Sequence, residues 1–207
     1  MKSVIFITIT YLYIIIKVLC YNICMKIIAL RHSYTKLNEE KRIQGRLDIK
    51  LSKKGILAVY ENIEYISKID FDLIVSSPLM RALQTSLIIG EKTNYKNPIV
   101  LLHEFVERDF GKLDYTLVSE SKKLYNSSLS IDGFESNESL EKRVNNGVIK
   151  LNSIYTDKKI LLVAHSHIIK ALMKLANFPN LSYSNTEIDH KKVTEFEFIK
   201  GKLKLIK

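Results

Sequence analysis

Two short apolar runs in this chain each end on a histidine, and they constrain the fold more than any other feature. Residues 26–30 lead into Arg31-His32, and residues 160–164 lead into His165. Both runs have the length and the Ile, Leu and Val content of buried strands, and a helical segment follows the second. Buried strands that alternate with helices are typical of α/β proteins. The sequence therefore predicts an open α/β sheet with a histidine at the end of two strands.

Other charged side chains follow the remaining predicted strands. A Ser-Ser-Pro turn comes after the apolar residues 73–75 and precedes a helix whose first turn carries Arg81, and Glu107 lies in a loop after the apolar residues 99–102. Ligands of open α/β sheets bind at the carboxyl ends of the strands. We therefore expect five side chains to converge at one rim: Arg31, His32, Arg81, Glu107 and His165. A histidine beside a guanidinium is suited to attack phosphorus while its neighbours hold the phosphoryl oxygens.

These blocks resemble the histidine phosphatases, also called the phosphoglycerate mutase-like superfamily. Arg31-His32-Ser33-Tyr34-Thr35-Lys36-Leu37-Asn38 resembles the Arg-His-Gly-x-Ser/Thr-x-x-Asn signature of that family, and Arg42-Ile43-Gln44-Gly45 continues it. Residues 76–85 match the family's Ser-Ser-Pro-x-x-Arg-Ala-x-Gln-Thr block throughout. Three further blocks follow in the family's order: Glu107 with Gly111, residues 133–136 with Arg143-Val144, and residues 163–165. The resemblance covers about residues 25–206.

The resemblance implies a fold, an activity and a set of roles. The fold would be a three-layer sandwich with a central, mostly parallel sheet and helices on both faces. The activity would be metal-independent hydrolysis of a phosphate monoester, without a cofactor, through a phosphohistidine at His32. Glu107 would protonate the leaving oxygen and then activate water. The phosphoryl oxygens would be held by Arg31, Arg81 and His165, and the predicted phosphate- or substrate-binding residues are Asn38, Thr35, Gln44, Gly45 and Arg108.

Two departures from the family pattern affect the histidines. Serine replaces the usual glycine after each of them, at Ser33 and Ser166. If either position needs a positive φ angle, serine costs about 1–2 kcal/mol there. Either both sites tolerate a small side chain, or the pocket is altered and turns over poorly. A phosphate-binding protein without catalytic activity is therefore one alternative to the phosphatase.

A phosphoglycerate mutase-type transferase is a second alternative, since it would use the same residues. Arg108, directly after Glu107, resembles the sugar-acid contact of such mutases. They usually carry a longer helical insertion over the site, however, whereas only residues 112–142 separate Gly111 from Arg143 here. The short segment favours an open pocket and attack by water. The partner of the protein would then be a small phosphorylated metabolite, which the sequence does not identify.

The composition excludes several other classes of protein. The net charge of +10 suits anionic ligands, but the lysines are scattered, without aromatic interleaving or a nucleic-acid module, so we predict no nucleic-acid partner. Both cysteines precede Met25, which leaves no disulfide or cysteine metal site in the predicted domain. The histidines show no metal-ligand spacing. We expect His167 to point away from His165, as a surface or supporting residue.

The first 24 residues form a separate hydrophobic segment. They approach the length of a membrane span, but Lys17 interrupts them and no cleavage site follows. Met25 begins a Met-Lys-Ile-Ile-Ala-Leu-Arg-His stretch that resembles the usual start of the family, so we interpret residues 1–24 as an upstream extension and residues 25–207 as one histidine phosphatase domain. We expect a cytoplasmic monomer or homodimer. The alternative is a membrane-anchored protein, such as a tethered regulator, held through residues 3–24.

Periodicity places the main elements of the domain. Strands are predicted to begin near Lys26, Leu73, Pro98 and Lys159, and helices near Ser52, Leu79, Glu138 and His167. A final hairpin joins residues 192–199 to residues 202–206 across Lys200-Gly201. Ile56, Tyr60, Ile63 and Ile66 have helical spacing, and we expect that stripe to belong to the core.

Overall fold

A computed structural model describes residues 24–125 and 131–206 of the chain. The strands are β1 (Met25–Arg31), β2 (Leu73–Ser76), β3 (Val100–Leu101), β4 (Lys159–Ala164), β5 (Val193–Ile199) and β6 (Lys202–Leu205). The helices are α1 (Lys36–Glu39), α2 (Lys53–Glu61), α3 (Ile63–Ile66), α4 (Met80–Lys92), α5 (Val118–Tyr125), α6 (Asn137–Ile154) and α7 (Ser166–Leu175). Two short 3₁₀ helices cover His103–Phe105 and Gly111–Leu113.

The six strands form one mixed sheet in the order β3-β2-β4-β1-β5-β6. The pairs β1 with β4, β4 with β2, and β2 with β3 are parallel, whereas β5 and β6 form an antiparallel hairpin that joins the sheet through β1. The predicted α/β fold with a mostly parallel central sheet is confirmed. β1 and β4 pair on both sides with other strands, which agrees with their almost uninterrupted apolar sequences.

Each face of the sheet contributes to its own hydrophobic core, because successive side chains of a strand point to opposite faces. Ile27 and Ala29 of β1 pack with apolar residues of α6 and α7. Ile28 and Leu30 pack on the other face with residues of α2, α3 and α4. The helices therefore cover both faces, and the three-layer arrangement is the one predicted.

The register of the parallel strands sets the position of the functional side chains. Arg31 pairs with Ala164, so the residues that follow β1 and β4 leave the sheet side by side. The His32 N–H donates to the Ala164 carbonyl at 2.9 Å, and the Ser77 N–H donates to the Val163 carbonyl at 3.0 Å. The ends of β1, β2 and β4 thus meet at one edge of the sheet.

One predicted core stripe is wrong in part. α2 ends at Glu61 and α3 begins at Ile63, so one helical period does not run through both. Tyr60 is 43% exposed, while Ala58 and Val59 supply the buried face of α2. The break at Asn62 changes the direction of the buried face.

The predicted N-terminal anchor lies almost entirely outside the described residues, which begin at Cys24. Within residues 24–125 and 131–206, no helix has the length and apolar character needed to cross a membrane.

Candidate active site

A cavity of about 650 Å³ opens at the edge where β1, β2 and β4 end. Its walls come from the segment after β1, the loop before α2, the first turn of α4, the Glu107 loop, α5, the start of α7 and residues 183–190. Seven of the predicted site residues line it: Arg31, His32, Asn38, Gln44, Gly45, Arg81 and Glu107. The structure therefore brings together residues from three distant parts of the sequence.

His32 is held in one orientation by hydrogen bonds to both ring nitrogens. Its Nδ1 lies 2.7 Å from the Ser33 carbonyl, to which it donates, and its Nε2 accepts from Nε of Arg81 at 3.2 Å. A neutral imidazole has one donor and one acceptor nitrogen, so this pattern assigns the proton to Nδ1. Nε2 then carries the lone pair at the cavity.

The surroundings of His32 favour its neutral form. Burial, with the charges of Arg81 and Arg31, lowers the pKa of His32 well below its usual range. A neutral imidazole retains the lone pair that a nucleophile needs.

Arg81 is fixed by three acceptors. Its Nη1 donates to the Leu47 carbonyl at 2.7 Å, and its Nη2 donates to the Gly45 carbonyl at 2.8 Å, in addition to the bond to His32. Burial lowers the pKa of Arg81 to about 10, although Glu107 opposes the shift. The guanidinium is therefore charged at neutral pH and rigidly placed beside the histidine ring.

The other two predicted cationic groups flank His32 in different ways. Arg31 lines the cavity, and its Nη1 donates to the Ile188 carbonyl at 2.9 Å. His165 is fully buried with its ring 5.1 Å from that of His32, and its Nε2 lies 2.7 Å from Oγ of Ser77. Burial and the charge of Arg81 lower the pKa of His165 well below its usual range, so the ring is neutral in the free protein.

Glu107 faces the same cavity from the loop after β3. It is 7% exposed, its Oε1 accepts from the Arg108 N–H at 2.9 Å, and its Oε2 lies 3.9 Å from Nδ1 of His167. Although burial raises the pKa of the Glu107 carboxyl, the contacts with His167 and His165 and the Arg108 N–H lower it more, so the net shift is downward. The carboxyl is ionised at neutral pH.

The Glu107 loop is tied to α6 by the partly buried Arg143. Arg143 donates through Nη1 to the carbonyls of Glu104 and Val106 at 2.8 and 2.9 Å, and through Nε and Nη2 to the carboxylate of Glu135 at 2.9 and 2.8 Å. These contacts explain the Gly133–Ser136 and Arg143 blocks of the sequence as supports of the loop. None of them touches the cavity wall.

Three of the predicted site residues do not line the cavity: Thr35, Arg108 and His165. Arg108 is fully buried, donates to Oδ1 of Asn137 at 2.7 Å and packs over the rings of Phe134 and Tyr183. Its side chain belongs to the interior because the loop turns it away from Glu107. Thr35 is also fully buried and caps α1 through Asn38.

Thr35 still contributes indirectly to the wall. Its hydroxyl donates to Oε1 of Gln44 at 2.7 Å, and both Gln44 and the capping partner Asn38 line the cavity. Thr35 therefore positions two lining residues and is not itself one of them.

Neither serine that replaces a family glycine requires an unusual backbone. Ser33 and Ser166 are absent from the non-glycine residues with positive φ among those described. Oγ of Ser33 donates to the Gly55 carbonyl at 2.8 Å, and the Ser33 N–H donates to Oγ1 of Thr85. The backbone penalty considered for these positions does not arise.

Sequence reasoning missed two histidines of the site. His167 was expected to point away, but it lines the cavity beside Glu107. His190 also lines it: the ring packs on Tyr34 with a centroid distance of 4.3 Å, and Nδ1 donates to the His32 carbonyl at 2.6 Å. Burial and the charge of Arg31 lower the pKa of His190 to about 4. The position of His167 in the first turn of a helix after a strand was a usable signal, whereas His190 had none.

Within the described parts of the chain, no group of three or more His, Cys, Asp or Glu side chains is arranged to hold a metal ion.

Comparisons with known proteins identify the family of the chain. The model of the histidine phosphatase superfamily (branch 1) matches residues 27–207. The uncharacterized phosphatase PhoE of Bacillus subtilis (strain 168) is 33% identical over 175 residues, which cover 84% of this chain and 89% of the relative.

Solved structures of related proteins have the same fold. A mutant phosphoserine phosphatase from Entamoeba histolytica, in complex with phosphoserine, superposes with a TM-score of 0.74 at 27% identity over 88% of this chain and 95% of the other. A phosphoglycerate mutase from Bacillus anthracis superposes with a TM-score of 0.78 over 90% of this chain and 93% of the other, and at 18% identity it shows the fold alone.

Proposed function

The chain belongs to the histidine phosphatase superfamily, and we propose that it hydrolyses a small phosphate monoester through a phosphohistidine formed on Nε2 of His32. The observation that carries the proposal is the hydrogen bonding of His32. A ring whose Nδ1 donates to a backbone carbonyl, and whose Nε2 accepts from an arginine at the cavity, is a neutral nucleophile in a defined tautomer.

In the first step, the Nε–H of Arg81 moves from Nε2 of His32 to a phosphoryl oxygen, the freed lone pair of Nε2 attacks phosphorus, and the bond from phosphorus to the leaving oxygen breaks. Arg81 and Arg31 stabilise the charge on the equatorial oxygens, which is the main contribution of a protein to phosphoryl transfer. Asn38, Gln44 and the backbone at Gly45 line the same cavity and would hold the rest of the phosphoryl group. Glu107, ionised in the free protein, takes up a proton when the phosphate dianion binds beside it and gives that proton to the leaving oxygen.

In the second step, water attacks the phosphohistidine and Glu107 accepts its proton. Inorganic phosphate leaves and His32 regains its lone pair. The positive charge of this mechanism comes from arginine, so it needs neither a metal ion nor a cofactor.

The test is to trap the intermediate. Rapid acid-free quenching with ³²P-labelled phosphoserine should give a base-stable, acid-labile label that is absent in His32→Ala, and Arg81→Ala should lower turnover by about 100-fold or more. His103→Gln is the control, because His103 is an exposed histidine outside the cavity. Label that persists in His32→Ala would refute the assignment of the nucleophile.

A mutase remains the second candidate because α5 contributes Val118 and Ser121 to the cavity wall, which gives the site more cover than the short segment predicted. A mutase must keep the phosphohistidine from water until a second hydroxyl accepts the phosphoryl group. Incubation with 3-phosphoglycerate, with and without 2,3-bisphosphoglycerate, distinguishes the two. Release of phosphate faster than formation of 2-phosphoglycerate supports the hydrolase, and the reverse supports the mutase.

A further inference from the structure

His167 lies beside Glu107 in the cavity wall and has no role in the mechanism above. We propose that His167 is a positioning residue that shares one proton with Glu107 and so sets the pH range in which Glu107 can act as an acid. The inference rests on the proposed function, since it concerns the acid of that reaction.

The two oxygens of Glu107 have different surroundings. Oε1 accepts from the Arg108 N–H at 2.9 Å, whereas Oε2 lies 3.9 Å from Nδ1 of His167. Oε2 is therefore the oxygen that can carry a transferable proton, and His167 is the titratable ring beside it. Catalytic hydrogen bonds are often long in free enzymes and shorten when substrate binds, so a shift of about 1 Å is sufficient to connect the pair.

Aromatic contacts hold the His167 ring in this place. It stacks on Tyr183 with an interplanar angle of 4° and meets the edge of Phe110 at a centroid distance of 5.0 Å. The side chains of His167 and Glu107 are 12% and 9% exposed. A charge interaction between two such shielded groups is screened less by solvent than one at the surface.

The charged groups around the pair are nearly all cationic. Lys170 on α7 and Arg108 on the Glu107 loop face His167. Arg31 and Arg81 interact electrostatically with Glu107, which the neutral ring of His165 also faces. These groups favour an ionised Glu107, and a lone carboxylate in such a field would have no proton to give at neutral pH.

His167 is a second group beside Oε2 that can hold a proton. Burial lowers the pKa of His167 and the contact with Glu107 offsets only part of the shift, so the ring binds a proton less tightly than a free histidine but more tightly than it would without Glu107. Two coupled groups titrate as a pair, and the single proton can reside on either one. An arriving phosphate dianion raises the proton affinity of Glu107, which draws the proton from His167 to Oε2.

The proton balance closes over one turnover. Glu107 passes the shared proton to the leaving oxygen as the ester bond breaks, which leaves both groups of the pair unprotonated. Water then gives a proton to Glu107 as its oxygen bonds to phosphorus, and that proton returns to His167 when phosphate leaves. The active enzyme is thus the form in which the pair holds one proton.

The pH profile tests this account. In His167→Gln and His167→Phe the last proton sits on Glu107 alone, so the basic limb of kcat/KM for phosphoserine should move by at least one unit to lower pH. Labelling of His32 by p-nitrophenyl phosphate, whose leaving group needs no proton, should change less than threefold. His103→Gln should keep the wild-type profile. An equal loss at every pH and for both esters would reduce His167 to a packing residue and overturn the proposal.

Titration of the histidines followed by NMR is a second test of the proposal, and it needs no substrate. The His167 ring signal, assigned by its loss in His167→Gln, should titrate at a higher pH in the wild type than in Glu107→Gln. Identical titration in the two would also overturn the proposal. These outcomes differ from a failure of the proposed function, in which the wild type itself forms no phosphohistidine.

Discussion

At the scale of single residues, Gly45 has the most specific backbone requirement in the site. Its φ is +48°, and a Cβ atom there would lie 2.2 Å from Oδ1 of Asp114. The Gly45 carbonyl accepts from Nη2 of Arg81. The geometry of the arginine beside His32 therefore depends on a position that only glycine occupies without strain.

We predict that Gly45→Ala lowers turnover by about 100-fold, because a shift of about 1 Å in a catalytic group has an effect of this size. The positive φ alone costs about 1–2 kcal/mol of stability. Gly201→Ala is a matched control: its φ is +75°, and no atom lies within 4 Å of the added Cβ. Both substitutions should lower the Tm of the protein. Only Gly45→Ala should lower turnover. Normal turnover in Gly45→Ala would show that Arg81 is held without the Gly45 carbonyl.

At the scale of elements, α6 acts as the support of the Glu107 loop. Arg143 joins the helix to two loop carbonyls and to Glu135, and Arg46 adds an ion pair to Glu135 at 3.5 Å. A planar guanidinium is suited to this fork of acceptors, and an ammonium is not. The loop that carries the acid is therefore positioned by charge-assisted hydrogen bonds rather than by regular secondary structure.

We predict that Arg143→Lys destabilises the protein by about 2 kcal/mol, since buried acceptors lose their donors, and lowers turnover by about tenfold through displacement of Glu107. Lys150→Ala is the control. Lys150 lies on the same helix as Arg143 and forms an ion pair with Glu104, but the Lys150 side chain is 49% exposed. Ion pairs at the surface contribute about 0–1 kcal/mol to stability. Denaturant unfolding and steady-state kinetics of both variants check the prediction. Equal effects of the two substitutions would contradict it.

The elements also show what the sequence could predict. The long apolar strands and the amphipathic helices α2, α4 and α7 were found because their patterns are local. α1 was not: it has four residues and depends on a capping box between Thr35 and Asn38. β3 was predicted near Pro98 but comprises only Val100–Leu101, because its extent is set by pairing with β2.

The residues of the site likewise fall into those that the sequence could predict and those that it could not. Residues at strand ends, such as His32 and Arg81, could be predicted because the topology of a parallel sheet brings strand ends together. Arg108 was assigned to the ligand by resemblance, and the path of its loop buries it instead. His190 reaches the site through contacts with Tyr34 and the His32 carbonyl, which are tertiary and leave no sequence pattern.

At the scale of the whole molecule, the site connects separate parts of the fold, so ligand binding should stabilise all of them together. Vanadate, a mimic of five-coordinate phosphorus, should raise stability by about 2.7 kcal/mol at 100 times its Kd. For a chain of this size, that corresponds to a rise in Tm of roughly 5–10 °C. EDTA in the buffer should not change this rise in Tm. Calorimetry with Arg81→Ala should show little rise, and Lys68→Ala, in the exposed turn after α3, should behave as the wild type. A full rise in Arg81→Ala would place the anion elsewhere.

The position of β1 in the sheet has a consequence for the synthesis of the protein. β1 is made before the other strands of the sheet, but it pairs only with β4 and β5, which come from the last quarter of the chain. On the ribosome, this apolar strand and His32 after it stay without their neighbours until almost the whole domain has emerged. Contacts between such distant segments form slowly, and an exposed apolar strand is prone to aggregation meanwhile. Nascent chains that stop before residue 159 should therefore depend on chaperones, and the phosphate site should appear only in the final stage of translation.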